Sequence, residues 1–430
     1  MTTAAAPRCL LVAHTFPPVL GGSAGVYDSL ARCAGGAIAV LTSRRDHRSG
    51  DDLPGWRALD AAAPYLIRRR ALTRPPLLPP AGVGRWTRRL AWLGHAAVLA
   101  ASVAALVRRY RIPAVCVCDD ETVGWLVPVA RYALGRVAAI YCHGDDLVEI
   151  DPARIRSRAR RFRQADVVFA ASRFARDRLV AAYGVPAGRI VLLPNGVDAA
   201  RFAPRPPPQA LLARYGLHGR RVILAPSRLV PRKGFDRLIA AMPTILTQHP
   251  DAVCLVVGDG PQRAALDALA GRHGVAAQVR FAGPVAPADM PDHYALAALV
   301  ALPNRAMPGE ADGVPLVLLE ANAAGKPVIG GSAGGTPEWV THGRNGLLVD
   351  GDDPAAIAAA ICRVLGDPAL RAALARGGLA AAQAAAWPER AAAMLAALDL
   401  NAAAARPRRA DGGAAPPSPR AWRGGRTHGR

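Results

Sequence analysis

Short runs of apolar residues alternate with longer segments of helical period along most of the chain. The first series is CLLVA (9–13), IAVLT (38–42), AVCVC (114–118), VAAIY (137–141), DVVFAA (166–171) and RIVLLP (189–194). Strands that are apolar on both faces are typical of parallel sheets covered by helices on each side. This pattern predicts a doubly wound α/β domain in the first half of the chain.

A proline-rich segment, FAPRPPPQ (202–209), interrupts the alternation. Because proline fixes φ and lacks an amide proton, this segment is the best candidate for a domain boundary. The alternation then restarts with RVILAP (221–226), VCLVV (253–257), QVRF (278–281), ALVAL (298–302), KPVIG (326–330) and GLLV (346–349). We therefore expect two Rossmann-like, doubly wound α/β domains, at residues 1–200 and 201–385.

The end of the chain has a different composition. Residues 386–400 have a helical pattern, and we expect this helix to return towards the first domain. Residues 401–430 are rich in Pro, Gly and Arg, which predicts a disordered basic tail.

The composition is that of a globular chain with a large positive charge. Hydrophobic residues make up 51% of the chain, and the formal net charge is +22. Among 54 basic residues only Lys233 and Lys326 are lysine, which is typical of a coding bias towards arginine. The segment from Pro64 to Arg111 holds ten Arg and no acidic residue. Such a surface could attract an anionic membrane, which we expect as a partner.

Nucleic acid is the other polyanion that this charge suggests. Aromatic side chains, which stack on unpaired bases, make up only 5% of the chain. We therefore expect no nucleic-acid partner, and a non-catalytic polyanion-binding protein is kept as an alternative function.

The seven cysteines are odd in number and lie mostly in strand-like apolar runs. This is typical of buried thiols in a reducing compartment. Cys116 and Cys118 would share one face of a strand, but no second pair completes a metal site, so we expect no metal there. No secretory signal is visible, so we expect a cytoplasmic protein, with peripheral attachment to the inner face of the plasma membrane as a further hypothesis.

The segment 90–107 is nearly uncharged and has arginines on both sides. As a helix it would be roughly 27 Å long, at the lower margin for crossing a bilayer. Its high alanine content and His95 favour a helix of a soluble domain, and a contact with one membrane face is the alternative.

Arg228 and Lys233 occur in SRLVPRKGFD (227–236), between an apolar run and a segment of helical period. In a parallel sheet, ligands bind at the carboxyl ends of the strands. Two cations beside a helix N-terminus form a site for phosphate groups. The alternative is a pair of solvated surface cations beside a loop.

Two acidic residues, Asp312 and Glu320, lie eight positions apart in ADGVPLVLLEANAAG (311–325). Gly313 frees the backbone near the first, and we expect Glu320 to begin a helix of small residues. A carboxylate in such a place can accept hydrogen bonds from the vicinal hydroxyls of a ribose or a pyranose.

The order of these motifs closely resembles that of the family 4 retaining glycosyltransferases, to about residue 400. Further matching segments are HTFPPVLGGSAGVYDSLA (14–31), YCHGDD (141–146), ASRFARDRL (171–179), LPNGVD (193–198), VVGDGP (256–261), GGTPE (334–338) and NGLLV (345–349). The resemblance implies the GT-B fold, in which two Rossmann-like domains face a cleft. It also implies transfer of a hexose from a nucleotide diphosphate sugar to a lipid-linked or cell-surface glycan acceptor.

The resemblance implies that the second domain binds a UDP- or GDP-linked sugar, with no metal and no other cofactor. Arg228 and Lys233 would neutralise the diphosphate as the glycosidic bond breaks. Asp312 would face the donor sugar, and Glu320 would hold the ribose hydroxyls. His143 would contact the sugar near the reacting carbon; the alternative is a hydrogen-bonded core histidine at a strand end.

Other implied contacts are made largely by backbone. They are Gly21 and Gly22 near the diphosphate and acceptor, Gly283 to Val285 at the base, and Gly313, Val314 and Leu316 around the donor. The family's behaviour implies retention at the anomeric carbon, with the departing phosphate oxygen taking the acceptor proton on the same face. Nucleotide-sugar 2-epimerases share the two-domain cleft and are the alternative enzyme class.

Two residues depart from the family's pattern. Asp312 stands where the family usually has Glu, so its carboxylate is one methylene shorter, and Glu310 is close enough to compete for the role. Pro315 stands where many members have Gly and removes one N–H from a loop expected to bind the sugar phosphate. Asp350 and Asp352 have the spacing of a metal-binding pair, but their place after a strand favours a turn.

Overall fold

The computed structural model describes residues 6–19, 21–46, 50–70 and 85–405. Within them the chain forms two α/β lobes, each built on one parallel sheet. The expected disordered tail lies outside the described residues from residue 406 onwards, and residues 401–405 continue the last helix. Part of the arginine-rich segment, residues 71–84, also lies outside them.

The first sheet has the strand order β3-β2-β1-β4-β5-β6-β7, and every pairing is parallel. Its strands are β1 (Cys9–Ala13), β2 (Ile38–Ser43), β3 (Ile67–Arg70), β4 (Ala114–Val117), β5 (Val137–Cys142), β6 (Val167–Ala170) and β7 (Ile190–Leu192). The associated helices are α1 (Gly22–Cys33), α2 (Trp56–Ala62), α3 (Arg85–Arg109), α4 (Asp120–Val123), α5 (Leu126–Pro128), α6 (Pro152–Gln164) and α7 (Arg173–Ala181).

The second sheet has the order β10-β9-β8-β11-β12-β13 and is also parallel. Its strands are β8 (Arg221–Pro226), β9 (Ala252–Val257), β10 (Val279–Gly283), β11 (Leu299–Leu302), β12 (Val328–Gly331) and β13 (Gly346–Val349). The helices of this half are α8 (Gln209–Arg214), α9 (Phe235–Gln248), α10 (Arg263–Arg272), α11 (Met290–Leu296), α12 (Leu316–Ala323), α13 (Thr336–Trp339), α14 (Pro354–Gly366), α15 (Pro368–Gln383) and α16 (Trp387–Ala405).

Both faces of each sheet are covered, as the all-apolar strands predict. In β1, Leu11 belongs to the hydrophobic cluster on one face and Leu10 to the cluster on the other, and both are fully buried. The second lobe repeats this arrangement with Ile223 and Leu224 of β8. The predicted fold of two doubly wound parallel sheets is therefore confirmed.

The edge strand β3 was not among the predicted strands, because its sequence IRRR lacks an apolar run. Arg69 points inwards and is buried. Its guanidinium donates to the Asp60 carboxylate at 2.8 Å, to the Ser43 carbonyl at 2.9 Å and to the Pro17 carbonyl at 2.7 Å. A buried arginine that is fully paired can thus occupy an inward position of a strand.

The last helix, α16, crosses from the second lobe to the first. Its residues Met394, Leu395 and Leu398 are buried in the hydrophobic cluster of the first sheet, beside α1 and β5. Between the two sheets, residues 203–208 form no helix or strand, in keeping with their prolines. The predicted domain limits themselves stay a prediction.

Helix α3 includes the apolar segment 90–107. Leu99, Val103 and Val107 are buried against the first sheet, whereas the described side chains from Trp86 to His95 are not buried. In the described part of the chain, no helix combines the length and apolar character that a membrane crossing requires. Cys33 is exposed, and the other six cysteines are buried as free thiols.

Candidate active site

The sequence-predicted residues of the two lobes meet at the carboxyl ends of their strands. His143 directly follows β5 in the first lobe, and Asp312 and Gly313 lie in the loop between β11 and α12 in the second. A Cβ on Gly313 would clash with the carbonyl oxygen of His143. A Cβ on Gly144 would lie 3.4 Å from the Cα of Gly313. Backbone therefore packs directly on backbone across the cleft, which requires glycine at residue 313.

Asp312 is the buried anion of this site. Its Oδ1 atom accepts hydrogen bonds from Lys233 Nζ at 2.8 Å and from Arg232 Nε at 2.9 Å. The side chain of Asp312 is only 6% exposed, and its Oδ2 atom is buried without a hydrogen-bond partner. Because a buried carboxylate oxygen without a donor is costly, Oδ2 is an available acceptor for a ligand hydroxyl.

Lys233 and Arg228 are both placed by the end of β8. Lys233 closes a 3₁₀ turn before Gly234, the N-cap of α9, whose φ is +72°. Arg228 follows β8 by two residues, and its side chain is exposed. The turn Gly258–Gly260 packs against the backbone on either side of Arg228, and a Cβ on either glycine would clash with it. These glycines thereby fix the course of the chain that carries Arg228.

Arg232 is a site residue that the sequence patterns did not reveal. Its guanidinium contacts three carboxylates. In addition to the bond to Asp312, it lies 3.4 Å from Glu310 Oε2 and 3.9 Å from Asp145 Oδ2 of the first lobe. Its position next to Lys233 could have identified it. In a chain with so many arginines, however, the residue type alone does not indicate a binding site. Glu310 has an exposed side chain, so Asp312 and not Glu310 supplies the buried carboxylate beside Lys233.

Glu320 lies in the second turn of α12, which starts at Leu316. The expectation that Glu320 begins this helix was therefore wrong; Pro315, which fixes φ, precedes the first residue instead. Glu320 Oε2 accepts a hydrogen bond from the Tyr294 hydroxyl at 2.6 Å. Burial raises the pKa of Glu320, and the Tyr294 hydrogen bond partly offsets this effect.

The ring of His143 is held in one tautomer by Tyr27 of α1. The Tyr27 hydroxyl donates its only proton to the Cys118 carbonyl oxygen at 2.6 Å. His143 Nε2 lies 2.7 Å from the same hydroxyl oxygen, so Nε2 must carry the proton of that second bond. Burial lowers the pKa of His143 to about 4, so the ring is neutral at pH 7 and Nδ1 is an acceptor.

Asp146 fixes the turn that follows His143. Its Oδ1 atom accepts hydrogen bonds from the backbone N–H groups of His143 at 3.1 Å and of Gly144 at 2.7 Å. Burial raises the pKa of Asp146 to about 8. The acidic residues of the HGDD segment were visible in the sequence, but this backbone-capping role depends on the turn geometry.

The two glycines at the start of α1 are not required by the protein's own packing. A Cβ on Gly21 would have no neighbour within 4 Å, and one on Gly22 would make an ordinary contact with Leu316 at 3.7 Å. The role expected for these glycines therefore depends on a ligand, and it stays a prediction.

The remaining predicted positions lie in the second lobe, and two of them contact the first lobe. Leu316 packs against the hydrophobic clusters of both lobes, and the Val314 carbonyl accepts a hydrogen bond from Asn195 of the first lobe at 3.2 Å. Gly283 ends β10 with φ +76°, and Val285 is partly buried against the core of the second lobe. Their expected contact with the base stays a prediction.

Asp350 and Asp352 form a turn, in which the Asp352 N–H donates to Asp350 Oδ1 at 2.9 Å. Among the residues that the structure describes, no three His, Cys, Asp or Glu side chains are grouped as a metal site requires. Whether the reaction needs a metal is a separate question, and metal independence stays a prediction.

Two family models match the chain, one for each lobe. The model described as "Glycosyltransferase Family 4" matches residues 26–201, and the model described as "Glycosyl transferases group 1" matches residues 212–379. The chain is 37% identical over 380 residues to the GDP-mannose-dependent alpha-(1-6)-phosphatidylinositol monomannoside mannosyltransferase of Mycobacterium tuberculosis (strain CDC 1551 / Oshkosh), covering 84% of this chain and 89% of that protein. The protein with the same description from Mycolicibacterium smegmatis is 35% identical, with coverages of 86% and 92%.

Solved structures share the fold. The Anabaena protein HepE, in complex with UDP and glucose, superposes with a TM-score of 0.74 at 22% identity, covering 91% of this chain and 99% of that one. Sucrose-phosphate synthase from Thermosynechococcus elongatus superposes with a TM-score of 0.72 at 23% identity, with coverages of 93% and 100%.

We predict that Tyr27→Phe allows the His143 ring to adopt either neutral tautomer. Without the hydroxyl, Nε2 loses its acceptor and the Cys118 carbonyl loses its donor, so the ring should populate both tautomers. Long-range ¹H–¹⁵N spectra of histidine-labelled protein measure this directly, with His143→Gln assigning the signal. Tyr141→Phe is the matched control, because the Tyr141 hydroxyl is also buried but donates to the Leu193 carbonyl. A single Nε2–H tautomer in Tyr27→Phe would contradict the prediction.

Proposed function

The chain belongs to glycosyltransferase family 4, with the GT-B fold, and from this premise we propose that it transfers mannose from GDP-mannose to a mannosylated phosphatidylinositol lipid. The donor and acceptor classes are supported by the mycobacterial relatives, which are described as acting on these molecules. Because the chain is a glycosyltransferase, the alternatives of a nucleotide-sugar epimerase and of a non-catalytic polyanion binder are set aside.

The proposal depends most on the carboxylate of Asp312, which is buried beside two cations and keeps one oxygen unpartnered. Asp312 Oδ2 would accept a hydrogen bond from a hydroxyl of the donor sugar. Lys233 would then lie between the diphosphate and the Asp312 carboxylate, which binds the sugar. Arg228 follows the same strand, β8. As the bond between sugar and phosphate breaks, negative charge grows on the diphosphate, and fixed cations stabilise it.

We propose that the reaction retains the anomeric configuration and needs no metal. The departing phosphate oxygen would take the acceptor's proton on the face from which it leaves, so the protein supplies no nucleophile. Neutral His143 would offer Nδ1 to a sugar hydroxyl near the reacting carbon, because its Nε2–H is already committed to Tyr27. A neutral ring also adds no second positive charge beside the developing sugar cation.

The first half of α3 is the surface that we propose to bind the membrane holding the acceptor. Trp86, Leu90 and Leu93 are spaced to share one helical face, and they are 70%, 66% and 50% exposed. The sequence also places Arg85, Arg88 and Arg89 in the first two turns of the helix. An exposed apolar stripe on a helix segment whose sequence contains three arginines fits the interface of an anionic bilayer, on the cytoplasmic face of the plasma membrane.

The donor assignment predicts the behaviour of Lys233→Ala and Arg228→Ala. GDP-mannose should raise the melting temperature of the native protein, because a ligand that binds only the folded state stabilises it. Each variant should lose at least about tenfold in GDP-mannose affinity, since each removes a charge-assisted bond to phosphate. Isothermal titration calorimetry measures this loss.

Arg220→Ala is the matched control for these variants. Arg220 is exposed just before β8, at the amino end of the strand whose carboxyl end holds Arg228. The Arg220→Ala variant should bind GDP-mannose with the same affinity as the unmodified protein. Unchanged affinity in both Lys233→Ala and Arg228→Ala would contradict the diphosphate assignment, and a larger stabilisation by UDP-glucose than by GDP-mannose would contradict the choice of donor.

The membrane assignment predicts that Leu90→Ser weakens binding to vesicles of phosphatidylcholine with anionic phosphatidylinositol. A leucine buried in the membrane interface contributes about 1.5–3 kcal/mol to the free energy of binding. The variant should therefore partition onto vesicles at least about tenfold more weakly, as measured by the bound fraction in a flotation assay. Leu400→Ser, which alters an equally exposed leucine on α16, is the control and should float as the unmodified protein does. Equal flotation of the two variants would count against α3 as the membrane surface.

A further inference from the structure

Helix α7 of the first lobe is capped by a side chain of the second lobe. Glu338 of α13 accepts a hydrogen bond from the Arg173 N–H at 2.6 Å on Oε2 and from the Phe174 N–H at 2.7 Å on Oε1. These are the first two residues of α7. One carboxylate therefore bridges the lobes through two hydrogen bonds to backbone.

The contact satisfies groups that a helix cannot satisfy by itself. The N–H groups of the first turn have no acceptor within the helix, and they carry the positive end of its dipole. Ser172 accepts only the third of them, from Ala175 at 3.0 Å. The cap of α7 is therefore completed only when Glu338 is in place, which means when the two lobes are together.

On the side of the second lobe, the turn before Glu338 packs against the loop that carries Asp312. Helix α13 starts directly after Gly334 and Gly335, and a Cβ on Gly334 would clash with the Asp312 carbonyl oxygen. The Gly335 N–H donates to that same carbonyl at 3.0 Å. Any ligand that orders the Asp312 loop therefore also orders the turn that carries Glu338.

On the side of the first lobe, the start of α7 is attached to the turn after His143. The ring of Phe174 lies 3.3 Å from where a Cβ of Gly144 would stand. The Gly144 N–H and the His143 N–H are both bonded to Asp146. The Phe174 amide, the Gly144 turn and His143 thus form one packed unit that moves with the first lobe.

We propose that Glu338 is a positioning residue that latches the lobes and brings His143 against the Asp312–Gly313 loop when the nucleotide sugar binds. The inference extends the proposed function, since it assumes a donor that contacts both lobes. GDP lacks the sugar that would reach His143, so its affinity would depend less on the latch. GDP-mannose would reach His143 of the first lobe and would therefore depend on it.

The test compares the unmodified protein with Glu338→Ala and Glu338→Gln. Residue-resolved hydrogen exchange with GDP-mannose present should show protected Arg173 and Phe174 amides in the unmodified protein and fast exchange of both in Glu338→Ala. The Ala175 amide, which Ser172 caps within the first lobe, should stay protected in every variant and serves as an internal reference. Glu338→Gln retains only one accepting side-chain oxygen, so its protection should be intermediate.

Ligand affinities give the second readout. Glu338→Ala should lower the affinity for GDP-mannose about tenfold, because the closed arrangement becomes less populated, and should change the affinity for GDP less than twofold. Glu389→Ala, which removes an exposed glutamate on α16, is the matched control and should behave as the unmodified protein does in both assays.

The outcomes separate the latch from the proposed function. If the unmodified protein binds neither GDP nor GDP-mannose, the donor assignment fails. If both bind, but Glu338→Ala keeps protected Arg173 and Phe174 amides and full affinity for GDP-mannose, the latch is overturned. Should Glu338→Ala fail to fold, Glu338→Gln decides by the same two measurements.

Discussion

The candidate active site is built around one buried carboxylate, of which only one oxygen has hydrogen-bond partners. Asp312 has both cationic partners, Lys233 and Arg232, on Oδ1, while Oδ2 is buried without a donor. A buried anion is stable only when charge and hydrogen bonds compensate for lost water, so the two cations are held close to it. The remaining oxygen is the feature that makes this arrangement a binding site as well as a structural one.

The fold places the partners of this carboxylate without any of them being near it in sequence. Parallel strands end at the same edge, which brings the turn after β8 and the loop after β11 together in the second lobe. The first lobe presents the end of β5 to the same cleft. Gly313 then allows the two loops to touch backbone to backbone, so the neutral ring of His143 and the anion of Asp312 are carried by loops in direct contact.

The sequence predicted the parts of this arrangement that local patterns encode. All-apolar runs identified the strands of both sheets, apart from β3, where the buried Arg69 is paired with Asp60. Motif order identified Lys233, Asp312 and His143 as candidates. The hydrogen bonds of Tyr27 to His143 and of Glu338 to α7 join residues more than a hundred positions apart. A local sequence pattern therefore could not predict them. The position of Glu320 inside α12 was also missed, because the proline that precedes the helix was interpreted only as a lost N–H.

In the proposed reaction, Lys233 and Arg228 take up the charge of a nucleotide diphosphate, and Asp312 Oδ2 accepts a hydrogen bond from the sugar. A crystal structure of the protein with GDP-mannose tests it most directly. We expect diphosphate oxygens within about 2.7–3.2 Å of Lys233 Nζ and of the Arg228 guanidinium, and a mannose hydroxyl at the same distance from Asp312 Oδ2. A diphosphate bound away from both cations, with Asp312 Oδ2 still lacking a donor, would contradict it.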